Sequence, residues 1–189
     1  MAADLFYFIS SLPTLRWGEK APFTYRQFMD RCRVELGESA SEKLSKLRLM
    51  PMDDQEKQSG IPSKWHEFEA FVRNTVADMR RARLRKGTAH FVRRDTSWLS
   101  PGDTKRIEDI MAIQSPLERE NALDLFRWKY LDDISSSHFF DFSALEVYAI
   151  RLLLQEKQAF RQLEPGRTAF MSMIEDGLKK ARERRVELN

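Results

Sequence analysis

Cysteine is nearly absent: Cys32 stands alone among 189 residues, which excludes a disulfide framework and any metal site built on several thiolates. Glycine and proline are scarce, seven of each, too few for a turn-rich all-β fold. Long apolar runs are missing as well. The most apolar interior stretch, residues 147–154, is broken by Arg151 and falls far short of the roughly 20 residues a membrane-spanning helix needs. Charge of one sign is also lacking: 32 Lys and Arg face 29 Asp and Glu, and a net +3 by itself points to no class of partner. Residues 1–9 carry neither a basic segment nor a small-residue cleavage site, so the expectation is a cytoplasmic protein without direct membrane insertion.

What is present is helical periodicity. The first segment, Leu5 to Leu12, places Leu5, Phe8, Ile9 and Leu12 on one helical face, although Phe6-Tyr7-Phe8-Ile9 would also suit a buried strand; a helix is favoured. Thr24-Tyr25-Arg26-Gln27 is a capping box, after which Tyr25, Phe28, Met29, Cys32 and Leu36 recur at three- and four-residue spacing up to Gly37. Ser39-Ala40-Ser41-Glu42 reads as a second box opening a short helix. Residues 50–63 hold two Pro and a Gly with little apolar content and read as a linker. Ser63 is expected to cap a long helix with Trp65, Phe68, Val72, Thr75, Val76 and Met79 on one face. Asp103 opens another through Ile107, Ile110, Met111 and Ile113.

The C-terminal half is the most regular. Ser115-Pro116-Leu117-Glu118 combines a capping box with Pro at the first helical position, ahead of a stripe of Leu123, Phe126, Tyr130 and Ile134. Ser143-Ala144-Leu145-Glu146 reads as the start of the next helix, and a last one carries Phe170, Met173, Ile174, Leu178 and Ala181. The sum is an all-α helical bundle of six to eight helices. It divides into an N-terminal helical part, 1–49, a linker, 50–63, and a main bundle, 64–189, or forms one continuous domain.

Catalytic patterns are missing: there is no phosphate loop, dinucleotide fingerprint, nucleophile elbow or zinc-protease helix. His66, His90 and His138 are scattered without a second ligand at helical spacing, so no metal or cofactor is expected. Asp124, Asp132 and Asp133 read as the solvated face of their helix, and Cys32 as a small buried hydrophobe. A non-enzymatic protein is the expectation. One cluster stands out: Arg80, Arg81, Arg83, Arg85, Lys86, Arg93 and Arg94 put seven cations into fifteen residues with no acid among them. They form a solvated basic face, a docking patch for an acidic partner protein, or a nucleic-acid contact. A second feature is His138-Phe139-Phe140-Asp141-Phe142, which either plugs the end of the bundle, as expected, or offers an apolar patch to a partner.

Three segments carry a resemblance: the opening Phe6-Tyr7-Phe8-Ile9-Ser10-Ser11-Leu12-Pro13, then Ser115 to Asp124 with Arg127-Trp128-Lys129-Tyr130-Leu131-Asp132, then His138-Phe139-Phe140-Asp141. This set resembles a family of bacterial proteins encoded alongside V-type (A/V-type) ATPase subunits. The resemblance implies a non-catalytic structural subunit or assembly factor of a bacterial V-type ATPase. Its partners would be central-stalk or rotor-ring subunits, and it would lie at the membrane periphery through them. It further implies a role like that of the all-helical socket, the C/d-type connector that joins the central stalk to the rotor ring. This chain is much shorter than that three-bundle socket, which points to a reduced connector or an assembly factor. The seven basic residues Arg80 to Arg94 would then form the docking surface. The alternative is a basic helical nucleic-acid-binding protein.

Overall fold

The computed structural model describes residues 2–50, 59–84 and 101–162, and these form seven α-helices with no strand among the described residues. In order they are α1 (Ala2–Ser11), α2 (Tyr25–Leu36), α3 (Glu38–Ser45), α4 (Ile61–Leu84), α5 (Pro101–Met111), α6 (Pro116–Ser135) and α7 (Phe142–Gln162). The all-α bundle is therefore as expected, and the first segment is a helix. The final predicted helix, with Phe170 and Ile174, lies outside the described residues, as do His90 and most of the predicted linker.

Local signals set several of the helix starts. Thr24 caps α2 through the full box: its hydroxyl oxygen accepts from the Gln27 amide at 3.2 Å, and Gln27 Oε1 accepts from the Thr24 amide at 2.8 Å. Gly37, at φ +89°, ends α2 in a region a β-carbon disfavours, and its amide donates to Arg33 O. Ser115 caps α6, its hydroxyl oxygen accepting from the Glu118 amide at 3.3 Å, with Pro116 at the first helical position.

Other starts differ from the expectation. α3 begins at Glu38, straight after Gly37, and Ser39 does not cap it, because one glycine serves both as the stop of α2 and as the start of α3. α4 begins at Ile61, so Ser63 lies inside its first turn and its hydroxyl donates to Glu67 Oε1 at 2.9 Å. α5 begins at Pro101, two residues before Asp103. α7 is capped by Asp141, whose Oδ1 accepts from the Ala144 amide at 3.0 Å, so Ser143 again sits inside the first turn. A carboxylate at that end is favoured over a hydroxyl by the helix dipole.

Helix α7 is a large contributor to the core. Leu145, Val147, Ala149, Ile150, Leu152 and Leu154 are all buried, and at 100° per residue they fall on two opposite sides of the helix. With them Phe8 of α1, Phe28 and Cys32 of α2, Leu44 of α3, Trp65, Phe68 and Val72 of α4, Ile107 of α5 and Leu131 of α6 join one continuous cluster. Each large side chain fully removed from water here contributes roughly 1.5–3 kcal/mol. The N-terminal helices and the later ones therefore share that core. The chain divides into two compact units, residues 1–156 and 157–189, and all features below lie in the first.

The irregular segment between α1 and α2, and the first residue of α2, are tied to α7 by polar contacts. Tyr148 OH donates to Pro13 O at 3.1 Å, Gln155 Nε2 donates to Arg16 O at 2.8 Å, and the Tyr25 amide donates to Glu156 Oε1 at 2.7 Å. No helix among the described residues is long and apolar enough to cross a membrane.

Candidate partner-binding surface

The predicted basic cluster falls at the C-terminal end of α4 and beyond it. Arg80 and Arg81 are exposed on the helix, and Arg81 forms a surface ion pair with Asp78 at 3.1 Å, one turn back. Arg83 belongs to the same helix. Arg85, Lys86, Arg93 and Arg94 lie outside the described residues.

A different surface emerges from the aromatic residues. Phe6 and Tyr7 on α1 and Phe139 and Phe140 in the α6–α7 connection are exposed, Tyr7 by 72% and Phe139 by 69%. The rings of Phe6 and Phe140 sit 4.6 Å apart, and Tyr7 packs edge-on to Phe6 at 5.6 Å. The plug expected of the His138–Phe142 stretch is thus only partly formed. Phe142 packs on the core, whereas Phe139 and Phe140 face outward, because the turn at Ser136 and the Asp141 cap leave only a short excursion between the helices. Three aromatic rings, Phe6, Tyr7 and Phe140, joined at one surface from chain positions more than 130 residues apart, with Phe139 exposed beside them in sequence, are the kind of apolar patch that marks binding faces.

Charged groups border this patch. His138 Nδ1 lies 2.5 Å from Asp141 Oδ2. Partial burial opposes ionisation of Asp141, but the bonds from His138 and the Ala144 amide prevail and hold its carboxyl below the usual carboxylate range. One turn into α7, burial together with the Asp141 charge pushes Glu146 up to about 7, against the opposing pull of His138 and Lys43.

A buried ionic cluster joins α4 to α6. Arg127 donates from Nε and Nη2 to the two oxygens of Glu69, at 2.7 and 2.8 Å, and from Nη1 to Asp124 Oδ1 at 2.8 Å. All three side chains are buried, Asp124 completely. Asp124 is therefore not part of a solvated face. It lies one turn before Arg127 on the side of α6 that packs against α4, whereas Asp132 is exposed and pairs with Arg151 of α7. Burial lowers the affinity of the Arg127 guanidinium for its proton, and the hydrogen bonds and charge of Glu69 more than restore it, so its pKa is raised. With every polar end turned inward, the cluster orients two helices; it does not present reactive groups to a substrate.

Between α5 and α6 a groove of about 320 Å³ is lined by Arg106, Asp109, Ile110, Ala122, Leu125, Phe126 and Lys129. Groups of three or more His, Cys, Asp or Glu able to hold a metal are not found among the described residues. Cys32 is fully buried on α2, and desolvation pushes its thiol up to about 12.

Sequence reasoning missed Glu69 altogether. The signal was there: Glu69 stands four residues after Trp65 and three before Val72, inside the apolar stripe of its helix. A carboxylate in such a position requires a buried cation, and Arg127 supplies it. Searches of the chain against protein-family models, curated proteins and solved structures find no match.

Proposed function

We propose that this chain is a non-catalytic interaction subunit or assembly factor of a bacterial V-type ATPase, binding central-stalk or rotor-ring subunits. The observation that carries the reading is the contact between Phe6 and Phe140. These two residues belong to the first and last of the segments that resemble proteins encoded with V-type ATPase subunits. They meet on one exposed aromatic surface, not within the core. An all-helical body whose ion cluster is sealed inside and whose aromatic groups face outward suits a connector better than an enzyme.

The test is affinity capture of the tagged full-length protein from detergent-solubilised membranes of its native host, with bound proteins identified by mass spectrometry. Wild type is expected to recover catalytic and stalk subunits of a rotary ATPase, and Phe139→Ser with Phe140→Ser to lose them while keeping the same helicity. Recovery of nucleic acid, or of no ATPase subunit, would remove this reading.

A further inference from the structure

We propose that the groove between α5 and α6 receives an acidic amphipathic helix of a partner protein. The groove is built from two helix faces joined by a short connection. Arg106, Asp109 and Ile110 recur at helical spacing on α5, and Ala122, Leu125, Phe126 and Lys129 do so on α6. From Ala122 to Lys129 the α6 face extends about 10 Å, enough for two turns of a third helix laid along it. Ile110, Ala122, Leu125 and Phe126 make the floor apolar, and Ala122 leaves room for close backbone approach.

The walls decide the sign of the occupant. Arg106 and Lys129 are exposed and form no ion pair among the described residues. Asp109, the one acid of the lining, is held by Lys105 at 2.8 Å, and Lys105 also reaches Glu108 at 3.8 Å. The groove therefore presents two uncompensated cations flanking an apolar strip. A helix with apolar residues at positions i, i+3 or i+4, and i+7, bordered by Asp or Glu, satisfies floor and walls together. The cations set the direction and rate of docking, and the apolar strip holds the helix in place.

The experiment places a photoreactive side chain in the groove of the full-length protein, Leu125→p-benzoylphenylalanine, in the native host. After irradiation and purification, the adducts are sequenced by mass spectrometry. A second chain with the same group at Asp109, also exposed in the lining, serves if position 125 does not tolerate it. The expected adduct is a peptide of another protein in which acidic residues border apolar ones at three- and four-residue spacing. Arg106→Glu with Lys129→Glu should lower its yield roughly tenfold, with helicity unchanged. Adducts confined to this chain's own peptides, to lipid or to a small molecule would overturn the proposal. No adduct, or equal yield from the charge-reversed chain, would do the same. The outcome is separable from the ATPase reading. An acidic helix from an unrelated protein keeps the groove and removes the ATPase, whereas ATPase capture without an adduct does the reverse.

Discussion

Arg127 on α6 and Glu69 on α4 meet through two parallel hydrogen bonds, 2.7 and 2.8 Å long, inside the protein. The planar guanidinium matches the carboxylate oxygens in a way a lysine ammonium does not. Nearby, Tyr130 of the same helix stacks on Phe68 of α4 with ring centroids 3.8 Å apart and donates its hydroxyl to Lys64 O at 3.1 Å. These contacts set the rotation of α6 about its own axis, and with it the direction in which Ala122, Leu125 and Lys129 face.

Removing Arg127 should therefore be costly. Arg127→Ala leaves Glu69 and Asp124 buried without their cation, a loss of roughly 3–5 kcal/mol and a fall in Tm on the order of 10 °C. Arg127→Lys keeps the charge but not the fork and should lie between the two. Thermal unfolding followed by circular dichroism checks both; a change in Tm within one or two degrees for Arg127→Ala would contradict the geometry.

Glu146 predicts an acid-side gain in stability. Its carboxyl rises from an ordinary 4.5 to about 7 through burial first and the Asp141 charge second. The folded protein then holds this proton where the unfolded chain has released it. The contribution is fully present below pH 4.5 and is lost as pH rises through about 7. Glu146→Gln carries no titrating group, so the Tm of the variant minus that of the wild type should grow more positive from pH 5 to pH 8. A flat difference across that range would show that the carboxyl ionises freely in the fold.

Much of this fold is legible in the sequence because its signals are local. The Thr24 and Ser115 caps, the Trp65–Phe68–Val72 stripe and burial of Cys32 each depend on residues within a few positions of one another. The site is less legible because its partners are distant. Nothing near Phe140 announces that its ring meets Phe6, 134 positions away, and nothing near Asp124 announces that its neighbour Arg127 reaches Glu69 on another helix. The stripe of α6 reads as a single face, yet Trp128 is also buried, packing at 5.6 Å against Trp17 from the segment before α2. A helix covered on several sides carries too little amphipathic contrast for periodicity to report.

Cys32 offers a reporter of global unfolding. Its side chain is fully buried in the shared core cluster, and its thiol is pushed up to about 12 by desolvation, with the Glu35 charge adding to it and Arg31 opposing. At pH 8 the folded protein should resist iodoacetamide, since only an accessible thiolate reacts. Labelling should follow the denaturant transition seen by circular dichroism. Stoichiometric labelling in native buffer would show that α2 opens locally.

The basic end of α4 gives the last prediction. Reversing Arg81 and Arg83 to Glu removes one described surface ion pair, Arg81 with Asp78, whose side chains are about half exposed at 47% and 48%. Such a pair contributes roughly 0.2–1 kcal/mol, so Tm should hardly move. If this helix end docks on an acidic partner, the double variant should recover less of that partner from solubilised membranes, and the loss should shrink as salt is raised and screens the wild-type attraction. Equal recovery at low salt would leave these arginines as a solvated face and remove them from partner binding.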